Sequence, residues 1–337
     1  HMRSESSHPA ALSPLLFLEP VITCHITLTC VLCESLERPK SIKFSSELLT
    51  HLFAISSFVT SRVKDELLEE IRNYKSLTET VEEPRILLVG QIGAGKSSFF
   101  NSVNSIFRGH VILQATSGYG DTSVSKRYRT YPVQDGKGGK SLPYVLSDTM
   151  GLENGDGEGI QVEDIISVIK GHVPDLYEAP ITAHDDRYRE KPCQADKVQC
   201  VVYVLQADNI HIVKKSLLQK FAKIRSEVNS MGIPQLVLVT KIDEACTKVR
   251  KDLTKVYRSR YLYEKVIQLG KTLGAPISSI SLVKSYSSET ELSLNVDILI
   301  LKALQQMLRA TDACLDDVKL KCRTETTSSE GFYPLFQ

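Results

Sequence analysis

The residues best suited to chemistry are Gly90-Gln91-Ile92-Gly93-Ala94-Gly95-Lys96-Ser97, a complete G-x-x-x-x-G-K-[ST] string. It follows the apolar run Ile86 to Val89 and opens a segment with helical spacing, the strand-loop-helix setting in which this string grips phosphate. Glycines let successive N–H groups curl around a triphosphate at a helix N-terminus, where the dipole favours an anion. Lys96 is expected to reach the β- and γ-phosphates and the Ser97 hydroxyl to hold Mg²⁺, with Ser98 completing the run of contacts.

Two more strings extend the site. Asp-x-x-Gly begins at Asp135, Asp148 and Asp156, but only Asp148 ends an apolar run, Tyr144-Val145-Leu146-Ser147. Asp148 is therefore expected to orient Mg²⁺, and the Gly151 N–H to sense the γ-phosphate. Thr240-Lys241-Ile242-Asp243 follows the apolar run Leu236 to Val239. The Asp243 carboxylate can accept from both the ring N–H and the exocyclic amine of guanine, while the Lys241 stem lies along the ring. Adenine has no such donor pair, so the expected cofactors are GTP or GDP with Mg²⁺. The loop between Gly109 and Tyr128 offers Thr116, Ser117, Thr122 and Ser123 to complete the Mg²⁺ shell, and Thr122 is chosen because Gly118 and Gly120 supply a hinge. Ser285, beside Tyr286, is the expected contact at the base edge.

The elements that must position these residues are legible as alternating short apolar runs and helical stretches from Arg85 onward. Strands are expected at 86–89, 128–133, 144–146, 198–205, 236–239 and 280–283, and helices at 96–107, 162–169, 213–230, 248–269 and 296–308. This alternation predicts an α/β fold of the P-loop NTPase kind: a three-layer α/β/α arrangement around a mostly parallel sheet. One junction differs, because the Gly-rich turn Asp135-Gly136-Lys137-Gly138-Gly139-Lys140 predicts that the second strand runs antiparallel. The expected domains are an irregular N-terminal extension (1–61), an amphipathic linker helix (62–84), a GTP-binding domain (85–310) and a helix end with a tail (311–337). Residues 172–196 read as an inserted surface loop.

Composition excludes other classes. Apolar residues make up 42% and charged residues 24% of 337, which rules out collagen, coiled coil and wholesale disorder. The net charge of +1 gives no whole-molecule attraction to nucleic acid or an acidic membrane. The basic stretch Lys248, Arg250, Lys251, Lys255, Arg258 and Arg260 reads as a solvated helix face, so no specific nucleic-acid partner is expected. Eight scattered cysteines read as reduced thiols, consistent with a cytoplasmic location. Cys24, His25, Cys30 and Cys33 resemble a zinc set, but the alternation from Val21 to Leu32 reads as a strand that would split them between two faces. The apolar segment within 43–59 reads as a helix too short to span a bilayer, and no transmembrane segment is expected.

The three motifs resemble the first, third and fourth motifs of the GTPase superfamily. The stretches Ile86 to Gly90, Ser97 to Asn104, Phe107 to Val111, Tyr128 to Tyr131, Tyr286 to Glu289 and Asp297 to Ile300 resemble the interferon-induced protein 44 and 44-like family, over about residues 62 to 318. The resemblance implies a cytoplasmic GTP-binding protein of innate antiviral defence. It also implies a TLDc domain before the GTP-binding part, of which residues 1–42 show nothing and later residues at most a remnant. Thr240 replaces the usual Asn of the fourth motif.

Hydrolysis is expected to be slow. Leu152 stands where small GTPases carry the glutamine that orients water, and Ile92 crowds the γ-phosphate side. A homodimer across the nucleotide face could assist turnover; the other readings are a non-catalytic GTP-switched module that recruits a protein effector, and an ATP-binding P-loop kinase, which Asp243 disfavours.

Overall fold

The computed structural model of the chain describes residues 61–112, 128–136, 138–153, 159–177, 184–208 and 215–329, with side chains to 320. All belong to one compact unit, residues 57–337. The expectations for the strand at 21–32, the zinc set, the helix at 43–59, Asp156 and the hydroxyls from Thr116 to Ser123, including Thr122, lie outside the described residues.

A first helix, α1, covers residues 61–72. The strands are β1 (Arg85–Gly90), β2 (Arg129–Gln134), β3 (Ser141–Asp148), β4 (Cys200–Gln206), β5 (Gln235–Thr240) and β6 (Ile280–Leu282). The other helices are α2 (Lys96–Arg108), α3 (Val162–Ile169), α4 (Lys215–Ser230), α5 (Ile242–Ala245), α6 (Thr247–Lys251), α7 (Arg260–Leu273) and α8 (Leu294–Ser329). The six strands form one sheet in the order β2-β3-β1-β4-β5-β6. Every pairing is parallel except β2 with β3, as the Gly-rich turn predicts. Asp135 N–H closes that turn on the Lys140 carbonyl at 3.1 Å.

The central strands β1, β4 and β5 are almost wholly buried, as near-continuous apolar runs must be when helices cover both faces of a sheet. At the edge, β2 alternates in burial and tolerates Pro132, which has no N–H to give a further neighbour. On the helical layers, α2 contacts α8, while α4 contacts both α3 and α7. The loops after β1, β3, β5 and β6, which carry the candidate residues, leave the carboxyl ends of their strands, where an open α/β sheet places its ligands.

Three sequence expectations are corrected. The helix expected over 248–269 is broken into α6, a 3₁₀ turn at Leu253–Arg258 and α7. Two caps cause the break: the Asp252 carboxylate accepts from Thr254 N–H at 3.1 Å, and the Ser259 hydroxyl accepts from Leu262 N–H at 3.3 Å. The expected linker helix 62–84 ends at residue 72. Its apolar stripe, Leu67, Leu68 and Ile71, joins the core, while residues 75–84 bury only Val81 and Pro84 and cannot continue the stripe. Finally, α8 runs to Ser329, further than the short helix end expected within 311–337, since no Gly or Pro interrupts it and Cys314 and Leu315 are still buried.

Candidate functional site

The phosphate loop begins where β1 passes β4. A Cβ at Gly90 would lie 2.3 Å from the Val204 carbonyl oxygen, so close backbone approach selects glycine there. Gly93 and Gly95 take φ of 72° and 94°, the left-handed conformations that curl the loop back on itself. Helix α2 then starts at Lys96 with no side-chain cap on Gly95 and no acidic residue in its first turn. Its first N–H groups are thus left for an anion to satisfy.

Lys96 sits at the centre. It is 6% exposed, and its ammonium donates to the Gly90 and Gln91 carbonyls at 3.2 Å each. No carboxylate among the described residues lies within ion-pair distance of it. Burial lowers its pKa below the ordinary lysine value, and the negative charge of Asp148 works in the opposite direction. A buried cation bound only to neutral carbonyls is an electrostatic demand for an anion.

The Ser97 hydroxyl donates to Asp148 Oδ2 at 2.6 Å, joining the start of α2 to the end of β3. These two adjoining hard oxygen donors, with Asp148 1% exposed, suit Mg²⁺. Beyond Asp148 the chain folds back on the phosphate loop. Leu152 N–H donates to the Gly90 carbonyl at 3.0 Å, and a Cβ on Gly151 would lie 2.4 Å from Ile92 Cγ1. Ile92 therefore packs directly on Gly151, on the side expected for the γ-phosphate. Leu152 itself is 1% exposed and belongs to the core.

The other end of the candidate site is built from the loops after β5 and β6. Thr240 is buried and donates to the Ala94 carbonyl at 2.7 Å, fastening the fourth motif to the phosphate loop. The hydroxyl thus provides a link that does not need the amide of an Asn. Lys241 takes φ of 55°, a left-handed conformation rare outside glycine, and starts α5. Asp243 faces Lys284, whose ammonium lies 3.5 Å from Asp243 Oδ2 and 2.8 Å from Glu289 Oε1. Burial would raise the Glu289 carboxyl, but the Lys284 hydrogen bond and the N–H groups of its own loop hold it down at about 2. The Ser285 hydroxyl is shielded from solvent and has no hydrogen-bond partner among the described residues.

The structure therefore gathers Gly90 to Ser98, Asp148 and Gly151 at one end, with Thr240, Lys241, Asp243 and Ser285 on the adjoining loops. Three contributors were not anticipated from sequence. Gln206, at the end of β4, donates to the Gly93 carbonyl at 2.6 Å. Lys284 and Glu289 form the charged pair beside Asp243, and the only advance signal was their proximity in sequence to Ser285. Among the described residues there is no cluster that would hold a metal through three or more His, Cys, Asp or Glu side chains. No described helix is long and apolar enough to cross a membrane.

Comparison with curated proteins places this geometry among relatives. Human interferon-induced protein 44-like is 44% identical over 262 residues, which cover 77% of this chain and 58% of that protein. Human interferon-induced protein 44 is 38% identical over 262 residues, covering 76% and 58%. The chain thus spans slightly under three-fifths of the length of these relatives. No family model matches. Among solved structures, a probable GTP-binding protein engB superposes with a TM-score of 0.39 at 12% identity, covering 67% of this chain and 98% of that one.

Proposed function

The chain belongs, through the 262 residues it shares with them, to the interferon-induced protein 44 and 44-like family, and from that premise we propose that it is a guanine-nucleotide-binding switch. The observation that carries the proposal is the buried Lys96 ammonium, bound by two main-chain carbonyls beside an uncapped helix N-terminus. On this reading the loop from Gly90 to Ser98 holds the β- and γ-phosphates of GTP. Ser97 and Asp148 hold Mg²⁺, which neutralises phosphate charge when bound. Asp243 reads the guanine edge, and Ser285 supplies a further polar contact there.

Gly151 against Ile92 couples the γ-phosphate to the loop after β3. A triphosphate that draws the Gly151 N–H toward it must displace the Ile92 contact, whereas a diphosphate need not. That difference between two states is what a switch requires. The proposed biological setting is the cytoplasm, in innate antiviral defence, with a protein effector reading the GTP state and a second copy facing the nucleotide.

Hydrolysis is proposed to be slow, because a side chain in the core at position 152 positions no water. Two measurements test the reading. GTP with Mg²⁺ should raise the melting temperature by several degrees where ATP does not. Multiple-turnover phosphate release should be slow at high dilution and rise with protein concentration, and Leu152→Gln should leave it slow while costing about 2 kcal/mol of stability by burying an amide. Rapid release at high dilution, or acceleration by Leu152→Gln, would contradict the assignment.

A further inference from the structure

A buried carboxylate outside the nucleotide loops joins three elements of the fold. Asp297, in the first turn of α8, is 0% exposed. Its Oδ1 accepts from the Tyr286 hydroxyl at 2.6 Å, and its Oδ2 lies 2.7 Å from the Lys64 ammonium of α1. Tyr286 is fixed from other sides too. Its hydroxyl accepts from Ser293 N–H at 2.6 Å, and its main-chain N–H donates to Ser102 Oγ of α2 at 2.8 Å. Ser102 Oγ in turn donates to the carbonyl of Ser98, the residue after the expected Mg²⁺ ligand Ser97. Immediately before Tyr286 come Ser285 and Lys284, the residues that meet the purine edge and the Asp243 carboxylate.

A carboxylate removed from water is stable in its ionised form only if its surroundings supply opposite charge and donors. Here the charge comes from Lys64, a residue of the helix that precedes the phosphate loop, and the donor comes from the purine-edge loop. The three elements α1, α8 and the loop after β6 therefore share one buried negative charge. We infer that Asp297, neutralised by Lys64, is a positioning residue that sets guanine recognition by holding Tyr286, and with it Lys284 and Ser285, against Asp243. The inference rests on the guanine-binding reading above and adds a route by which α1 acts on the purine end of the site.

The test separates the two ends by ligand. Affinities for GTP, ATP and inorganic tripolyphosphate, which lacks a purine, are measured with Mg²⁺ on the full chain and on Lys64→Met, Lys64→Arg, Asp297→Asn and Lys64→Met/Asp297→Asn. Lys64→Met should weaken GTP about 10-fold and shrink the GTP-over-ATP preference by a similar factor, with tripolyphosphate unchanged. Lys64→Arg should restore the preference, and Asp297→Asn added to Lys64→Met should restore it in part, because the buried charge is gone. Unchanged selectivity in Lys64→Met, or equal weakening of GTP and tripolyphosphate, would overturn the inference. Should Lys64→Met fail to fold, Asp297→Asn decides alone: the carboxamide keeps an acceptor for Tyr286 but lowers its strength, so selectivity falls severalfold if the inference holds and stays fixed if it does not. An unmodified chain that shows no guanine preference would instead remove the underlying reading.

Discussion

Lys96→Met is expected to abolish triphosphate binding and, at the same time, to make the nucleotide-free protein more stable. The first effect follows from removing one partner of a buried, hydrogen-bonded charge pair with the β- and γ-phosphates, which costs about 3 kcal/mol or more, roughly 100-fold or more in affinity. The second follows from the free protein. There the ammonium is buried against carbonyls alone, and burial lowers its pKa from the ordinary 10.5. A folded-state pKa below the unfolded value means that the unfolded chain holds the proton more tightly. Stability therefore rises with pH between the lowered value and 10.5, and below that range the buried positive charge opposes folding. Methionine fills a similar volume without that cost, so the melting temperature without nucleotide should rise by a few degrees. Calorimetry and thermal melting on the same preparation check both parts. A destabilised variant that still binds GTP would show that Lys96 is a structural residue.

Asp243→Asn should separate the base from the phosphates. The carboxylate offers two acceptor oxygens to the two adjacent donors of guanine, whereas the carboxamide offers one acceptor and one mismatched donor. Sites built to pair a specific polar edge lose several powers of ten in discrimination when that pairing fails, so the GTP-over-ATP ratio should fall about 100-fold. Tripolyphosphate affinity should not change. The variant should fold, because the Asp243 contact with Lys284 at 3.5 Å is partly exposed, and such pairs contribute about 1 kcal/mol or less. A variant that keeps its guanine preference would remove Asp243 from base recognition.

Much of this site is legible in the sequence because phosphate binding is local. The loop from Gly90 to Ser97 needs only contiguous residues, a preceding strand and a following helix, and each leaves a pattern along the chain. The direction of the strands is legible for the same reason: alternating strands and helices force parallel pairing, and the Gly-rich turn at 135–140 forces the single reversal. What escapes notice is tertiary. The Thr240 hydroxyl reaches Ala94 across 146 positions, and Asp297 meets Lys64 from opposite ends of the domain. Neither contact has a periodicity to betray it. The helix expected over 248–269 fails for a different reason, since its apolar spacing continues through Asp252 and Ser259 while their side chains cap new turns. Leu152 offers no group that could orient water, and the structure adds that its side chain lies in the core.

If one buried ammonium and the surrounding main-chain donors hold the phosphates while a separate carboxylate selects the base, calorimetric titration of the full chain with GTP, GDP and ATP, each with and without Mg²⁺, should show both roles. Saturable binding of GTP and GDP is expected, with ATP weaker by about 100-fold and GTP strengthened by Mg²⁺ through Ser97 and Asp148. Equal affinity for ATP and GTP, or no heat of binding with any purine triphosphate in the presence of Mg²⁺, would contradict it.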